Sequence, residues 1–168
     1  LQKGAGRVSP PVGSHLVDLV QHDERVLGAY ALEGLEELAG QYRLALLTDG
    51  YLPAQQLKVK ALRIEQYFEA IIYTEKLGRA CWKPSPAGFE KLMEQLGTRP
   101  AEMVYVADNP QKDFIGPNKL GFRTIQLIRP GQIHRKQTRK TEARAQHVIQ
   151  HIGELPDLLM QLKARENK

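Results

Sequence analysis

Polar residues that could hold a phosphoryl group and a metal ion follow apolar runs of this sequence. The run RLALL (43–47) leads into TDG (48–50), and the run MVYVAD (103–108) continues as NPQKD (109–113). Between them, the segment KPSP (83–86) places a lysine on a loop ahead of a predicted helix. In chain order, these segments supply a hydroxyl, a lysine and two carboxylates.

The hydroxyl and the lysine suit a transferring phosphoryl group. The hydroxyl of Thr48 and the backbone N–H groups of Asp49 and Gly50 can hold a phosphoryl oxygen. Lys83, on a loop that prolines stiffen, can neutralise charge that develops on the same group. Each pattern also has a plainer interpretation, because TDG is typical of an ordinary turn and a lone lysine of a surface loop.

The carboxylates at positions 108 and 113 suit a magnesium ion. Asp108 and Asp113 bracket an Asn-Pro turn at the end of a predicted strand. In proteins Mg2+ takes few carboxylates and completes its shell with waters and phosphate oxygens. The plainer interpretation is that Asp113 caps the following helix and Asp108 caps a turn. An apolar strand that runs directly into D-N-P-x-x-D is a specific pattern, and it favours the metal site.

Alternating apolar strands and amphipathic helices must position these residues. We predict strands over 43–47, 69–74, 103–108, 123–128 and 147–152. We predict helices over 14–22, 33–39, 53–62, 86–96, 113–120 and 154–163. Strands joined by helices form right-handed βαβ units, so the predicted fold class is α/β, a parallel sheet with helices on both faces. Ligands bind such sheets at the carboxyl ends of the strands.

Length, composition and cysteine content restrict the class of protein. The chain has 168 residues, of which 42% are hydrophobic and 26% charged, which is ordinary for a one-domain globular protein. It holds no apolar run of the roughly 20 residues that a membrane helix needs. Its single cysteine, Cys81, excludes an intrachain disulfide. We therefore expect a cytoplasmic protein with no membrane partner.

The net charge of +5 raises the question of a polyanionic partner. Basic residues cluster late in the chain, at Arg129, His134, Arg135, Lys136, Arg139, Lys140 and Arg144. No aromatic residue interleaves them, so base stacking is unsupported and a solvated connection is the favoured interpretation of 129–144. Nucleic acid is therefore not an expected partner, and the sequence leaves the oligomeric state open.

The three polar segments together resemble motifs of the haloacid dehalogenase (HAD) superfamily, in its phosphatase-like branch. LLTDG (46–50) resembles the second motif, WKPSP (82–86) the third and YVADNPQKDF (105–114) the fourth. The resemblance covers residues 29–152 and implies a Rossmann-like core.

The resemblance also implies a role for each matching residue. Thr48 would bond a phosphoryl oxygen, and Lys83 would stabilise the phosphoryl group and the carboxylate of the nucleophile. Asp108 would ligate Mg2+, and Asp113 would ligate it or orient it through water. Ala107 stands where the family usually has glycine, which is a small change.

The first motif of the family, an apolar strand ending in Asp-x-Asp-x-Thr, is absent from this sequence. The only Asp residues before Thr48 are Asp18 and Asp23, in a segment with a helical pattern. In the family that motif carries the nucleophile, and its strand lies in the middle of the sheet. We therefore predict that this first, central strand is missing and that the chain is the C-terminal portion of a longer protein. Residues 1–28 would be the remnant of a cap and its return linker, and 29–168 the core.

These features predict a Mg2+-dependent phosphoric monoester hydrolase that acts on a small phosphorylated metabolite through an aspartyl-phosphate. The nucleophile would come from the absent segment, so the 168 residues alone are expected to be inactive. The alternative is a catalytically inactive binding or regulatory module of the same fold. A dehalogenase is disfavoured because attack on a carbon–halogen bond does not need paired acidic metal ligands. A phospho-receiver domain is disfavoured because no acceptor Asp precedes the threonine on an earlier strand.

Overall fold

A computed structural model describes residues 15–17, 29–132 and 137–166, with side chains described for 34–132 and 137–165. Six strands lie in these ranges: β1 His15–Val17, β2 Arg43–Thr48, β3 Ala70–Tyr73, β4 Met103–Ala107, β5 Arg123–Leu127 and β6 His147–Ile149. Five α-helices join or flank them: α1 Ala29–Gln41, α2 Leu52–Leu62, α3 Ala87–Leu96, α4 Ile115–Leu120 and α5 Leu155–Glu166.

The six strands form one parallel sheet in the order β3-β2-β1-β4-β5-β6. The chain moves outward from β1 to β3, returns to pair β4 against the other side of β1, and then moves outward again. This is the strand order of the Rossmann fold, in which the direction of winding reverses beside the first strand. Ligands bind at that reversal, outside the carboxyl ends of the strands, so the topology places a site next to β1.

The prediction that the central strand is missing is wrong, and so is the helix predicted over 14–22. His15–Val17 form a strand in the middle of the sheet, paired in parallel with β2 on one side and β4 on the other. Three residues bonded on both edges satisfy backbone groups that β2 and β4 would otherwise leave unpaired, and this outweighs the helical pattern of the local sequence. His15–Val17 belong to the core sheet, so the prediction that the core begins at residue 29 does not hold for them. For 1–14 and 18–28, which lie outside the described residues, derivation from a cap stays a prediction.

Alternate residues of the strands build two apolar layers. On β2, Leu44 and Leu46 face a cluster that includes side chains of α1, α2 and α5, whereas Ala45 and Leu47 face a cluster around α3. The α3 contribution is Phe89, Leu92 and Leu96, each 5% exposed or less and spaced along one helix face. The sheet is therefore covered on both faces, as the fold class predicted.

The remaining predicted elements are present with boundaries that differ by a few residues. The helix predicted from 113 begins at Ile115 and the strand predicted to 152 ends at Ile149. Gly97 and Gly121 end α3 and α4 in the left-handed conformation, with φ of 60° and 89°. Residues 133–136 of the basic connection lie outside the described ranges. Among the residues that are described, no helix is both long and apolar enough to cross a membrane.

Candidate active site

The three polar segments meet at the carboxyl edge of the sheet, on both sides of β1. Thr48 is the last residue of β2, and Asp108 follows the last residue of β4. Val17, at the end of β1, is level with Ala45 and Tyr105, so β1 as described stops three residues before the level of Thr48 and Asp108. Lys83 reaches this edge from the loop that follows β3.

Lys83 forms a buried ion pair with Asp113. Its Nζ lies 3.1 Å from Oδ1 of Asp113, and both side chains are 0% exposed. The same Nζ donates a hydrogen bond of 3.1 Å to the hydroxyl of Tyr105, a fully buried residue of β4. An ammonium group without water needs such partners, because the loss of hydration costs several kcal/mol per ion. The structure thus brings the lysine of the third motif against an acidic residue of the fourth.

The loop 108–113 is closed by its own side chains. Asp113 accepts a hydrogen bond of 3.0 Å from the backbone N–H of Asn109 through Oδ2. Asn109 in turn accepts one of 3.0 Å from the N–H of Gln111. Because α4 begins later, with Phe114 at its N-cap position, Asp113 does not cap that helix. The plainer interpretation of Asp113 as a helix cap is therefore wrong, and its carboxylate instead joins the loop to Lys83.

Asp108 is held at the end of β4 by the neighbouring strand. Its backbone carbonyl accepts a hydrogen bond of 3.2 Å from Nε2 of Gln126, a fully buried residue of β5. In the part of the chain with described side chains, no group of three His, Cys, Asp or Glu residues converges in a way that could hold a metal ion. Two carboxylates still fit the way Mg2+ is bound when waters and phosphate oxygens complete its shell. Asp108 fits the role of direct ligand, and Asp113, engaged by Lys83, fits orientation through water.

The carboxylate of Asp49 connects three loops of the site. It accepts a hydrogen bond of 2.8 Å from the hydroxyl of Thr74 and one of 3.2 Å from the backbone N–H of Lys83. Nζ of Lys112 lies 3.5 Å from the same carboxylate, which is 5% exposed. An anionic side chain would repel a phosphoryl oxygen, so the predicted phosphate-binding role of Asp49 depends on its backbone N–H.

Gln55 of α2 fixes the turn after β2. The hydroxyl of Thr48 donates a hydrogen bond of 3.0 Å to its Oε1, and Thr48 is 3% exposed. Gly50 has a φ of +130°, and a Cβ placed there would lie 2.5 Å from Nε2 of Gln55. Only glycine combines that backbone conformation with so close an approach. The turn is therefore built to a specific shape, although the predicted contact of Thr48 with phosphate stays a prediction.

Sequence reasoning missed the side chains that hold these residues in place: Gln55, Thr74, Tyr105, Lys112 and Gln126. Thr74 ends the predicted strand 69–74 and bonds both the carbonyl of Thr48 and the carboxylate of Asp49. Its position at the end of an apolar run could have identified it as a candidate site residue. Tyr105 and Gln126 lie inside strands, where the sequence alone cannot indicate which polar group they meet.

Comparison with known proteins agrees with this architecture. The sequence profile of the haloacid dehalogenase-like hydrolases matches residues 20–127. A glyceraldehyde 3-phosphate phosphatase of Methanopyrus kandleri is 31% identical over 72% of this chain and 51% of its own. A ribulose-1,5-bisphosphate 5-phosphatase of Halopiger xanaduensis is 30% identical over 82% of this chain and 58% of its own. This chain spans about half the length of the curated relatives it matches.

A solved structure is similar in the same region. The 2-haloacid dehalogenase of Pseudomonas syringae pv. Tomato DC3000 aligns with 86% of this chain and 55% of its own, with a TM-score of 0.64 and 25% identity. The relatives thus include enzymes named for phosphate esters and for haloacids. With a family profile that matches most of the sheet and a Rossmann strand order around the three motifs, the chain belongs to the haloacid dehalogenase-like hydrolases.

Proposed function

We propose that this chain is the core of a Mg2+-dependent phosphoric monoester hydrolase that acts on a small phosphorylated metabolite in the cytoplasm. The observation that carries the proposal is Lys83, a fully buried ammonium group at the carboxyl edge of the sheet, between Tyr105 and Asp113. A cation held without water interacts strongly with charge that develops on a bound phosphoryl group.

Each residue at the edge has a distinct part in this proposal. The hydroxyl of Thr48 and the N–H groups of Asp49 and Gly50 bind the phosphoryl oxygens, and Lys83 stabilises their charge in the transition state. Asp108 holds Mg2+, which when bound supplies positive charge next to the phosphoryl oxygens. The carboxylate of Asp49 accepts a hydrogen bond from the backbone N–H of Lys83 and so fixes the position of the Lys83 loop relative to the turn 48–50.

A phosphatase fits these side chains better than a dehalogenase does. Displacement of halide from carbon requires a nucleophile and a halide site but no cation ligands, whereas Asp108 and Asp113 place two acidic groups at one strand end. Two of the relatives are named as phosphatases of small phosphorylated sugars. Their names support the phosphate-ester class for this chain.

The nucleophile in this proposal is an aspartate at the end of the central strand, where the resemblance places the first motif. Asp18 follows Val17 of β1 directly in the sequence, although its own position lies outside the described residues, and an aspartate from a segment outside the 168 residues is the alternative. The carboxylate attacks phosphorus in line, the bond from phosphorus to the ester oxygen breaks, and the leaving alcohol takes a proton from a general acid. Water then hydrolyses the aspartyl-phosphate to inorganic phosphate and regenerates the carboxylate. Asp18→Asn should abolish turnover and burst-phase phosphoenzyme in the full-length protein, and unchanged turnover in that variant would assign the nucleophile to the outside segment.

A non-catalytic binding module is the second candidate, and one observation favours it. Thr48 and Lys83 are already engaged by other side chains of the protein: Thr48 bonds Gln55, and Lys83 bonds Tyr105 and pairs with Asp113. A site whose side chains are held by one another keeps its shape whether or not it catalyses a reaction. The two candidates differ in whether phosphate is released from any ester.

The deciding experiment measures phosphate release by the full-length protein from a panel of phosphorylated sugars and sugar acids, with Mg2+ and with a chelator. We expect turnover that needs Mg2+ and that falls by at least about a hundredfold in Asp108→Asn. Calorimetry should show weaker Mg2+ binding by the same variant, a readout that does not depend on activity. Asp157→Asn, at an exposed carboxylate of α5, is the matched control. No Mg2+-dependent release from any ester would favour the binding module.

A further inference from the structure

An exposed arginine stacks on two aromatic rings beside the candidate active site. The guanidinium carbon of Arg79 lies 4.9 Å from the ring centroid of Tyr51 and 6.0 Å from that of Trp82. The two rings meet edge to face, with centroids 6.1 Å apart and an angle of 84° between their planes. We call these three residues the rim cluster.

The rim cluster borders the proposed phosphate site by its position in the chain. Tyr51 directly follows the turn TDG (48–50), and Trp82 directly precedes Lys83. The cluster therefore joins the loop after β2 to the loop after β3, the same two loops that supply the hydroxyl and the lysine. Because Tyr51 and Trp82 are chain neighbours of Gly50 and Lys83, we expect the remaining atoms of a ligand whose phosphoryl group lies against Thr48 and Lys83 to reach the rim cluster.

The charge of Arg79 has no acidic partner in the described part of the chain. The ion pairs found there join other residues, and the contacts of this guanidinium are the two rings. Within the same ranges, the buried indole Nε1 of Trp82 has no hydrogen-bond acceptor. Buried indole N–H groups usually have an acceptor. The exposed guanidinium, which has no acidic partner among the described residues, selects for an anionic ligand group, whereas the indole N–H is buried and reaches such a group only if the ring moves.

We propose that the rim cluster binds a second anionic group of the substrate, a carboxylate or a second phosphate, while the phosphoryl group to be removed lies at Thr48 and Lys83. The proposal rests on the proposed function, since it assigns the substrate class of that same site. Arginine binds carboxylate or phosphate through two parallel N–H bonds. The rings hold the guanidinium in place by cation–π contact, which lowers the entropy lost when an anion binds.

Trp82 makes the proposal directly measurable, because it is the only tryptophan of the chain. Its emission can be followed while the protein is titrated with 3-phosphoglycerate or with glycerol 3-phosphate, which differ in a carboxylate. Hydrogen bonds to charged groups are worth about 1.5–3 kcal/mol, so the carboxylate should tighten Kd by roughly tenfold to a hundredfold. Fructose 1,6-bisphosphate against fructose 6-phosphate tests a phosphate in the same way. The pair that shows the preference identifies the anion.

Arg79→Gln is the informative variant. It should reduce the preference for the second anion to about twofold or less, while Kd for glycerol 3-phosphate stays within about twofold. Arg139→Gln, at an exposed arginine of the connection before β6, should keep the full preference. Equal binding of both members of each pair by the native protein, or an undiminished preference in Arg79→Gln, would overturn the proposal.

Inorganic phosphate separates a failure here from a failure of the proposed function. It tests the site at Thr48 and Lys83 alone, and calorimetry measures its binding independently of fluorescence. If inorganic phosphate binds but neither ligand pair shows a preference for the member with the second anion, only the role of the rim cluster is overturned. No phosphate binding would show that the site itself is wrongly assigned, and the rim proposal would fall with it.

Discussion

The two edges of the sheet use charged side chains in opposite ways. At the carboxyl edge, Lys83 and Asp113 are thirty positions apart in the sequence and 0% exposed. At the amino edge, Arg99 and Glu102 are three positions apart, and their side chains are 77% and 23% exposed. Arg43 pairs with Glu69 at that edge as well, with side chains 35% and 47% exposed. The Lys83–Asp113 pair at the carboxyl edge is thus removed from water, whereas the two pairs at the amino edge stay hydrated.

The difference supports the proposal that the carboxyl edge is the edge organised for chemistry. Exposed ion pairs contribute little to stability, about 0–1 kcal/mol, and cost little to build. A buried pair loses so much hydration that apolar residues of similar size are often as stable. Stability alone therefore does not explain Lys83 and Asp113, and this supports the proposed role of Lys83 in binding a phosphoryl group.

Breaking the buried pair should have the largest effect. Lys83→Met leaves the Asp113 carboxylate buried without its cation, so we expect the free energy of unfolding to fall by about 3–5 kcal/mol. In the full-length protein, turnover should fall by about a hundredfold or more, because charge stabilisation in the transition state is lost. Denaturant unfolding and steady-state kinetics measure the two effects.

The double variant Lys83→Met/Asp113→Leu separates stability from function. It removes both charges, so it should recover much of the lost stability, less the hydrogen bond that Asp113 accepts from Asn109. Turnover should stay low. If the loss in free energy of unfolding of the double variant equals the sum of the losses of the two single variants, the desolvation argument is contradicted.

Close packing at the carboxyl edge should have the next largest effect. A Cβ at Gly88 of α3 would lie 2.8 Å from Cδ1 of Leu47 and 3.1 Å from Cγ2 of Thr74, both in the buried core. Overpacking of about 1–3 kcal/mol then exceeds the gain of about 1 kcal/mol in helix propensity. We expect Gly88→Ala to lower the free energy of unfolding by about 1 kcal/mol.

Gly34 of α1 is the matched control, because a Cβ there meets no described atom within 4 Å. Gly34→Ala should raise the free energy of unfolding by up to about 1 kcal/mol through helix propensity alone. Thermal or urea unfolding of both variants decides the point. If both substitutions stabilise the protein, the close approach of α3 to β2 does not constrain this edge.

The smallest effect should come from the amino edge and depend on pH. The Arg99 side chain, and then its backbone N–H, lower the pKa of Glu102 from 4.5 to about 2. A carboxyl group whose pKa falls on folding stabilises the protein above its unfolded pKa and loses that contribution as pH falls through its folded pKa. Glu102→Gln should therefore be less stable than the native protein above pH 4.5, and the difference should vanish near pH 2. A difference that persists unchanged to pH 2 would show that the charge of Glu102 plays no part.

Local patterns in the sequence predicted most elements but not the centre of the sheet. Pro86 and Gly97 predicted the start and the end of α3, because the residues that begin and end a helix are a local property. The strand His15–Val17 was not predicted, because three residues are too short to show the periodicity of a strand. Their conformation depends on pairing with β2 and β4, which are distant in the sequence.

The sequence by itself determined the α/β class, the parallel sheet and the order in which the hydroxyl, lysine and carboxylates reach its edge. Each of these follows from short-range apolar periodicity and from the residue type that ends an apolar run. The tertiary structure alone decided that β1 is central, that Asp113 pairs with Lys83 and does not cap a helix, and that Arg79 stacks on Tyr51 and Trp82. Apart from the contact of Arg79 with Trp82, three positions away, those contacts join residues far apart in the chain. Only the packing of the loops around the sheet edge determines which polar groups lose water together.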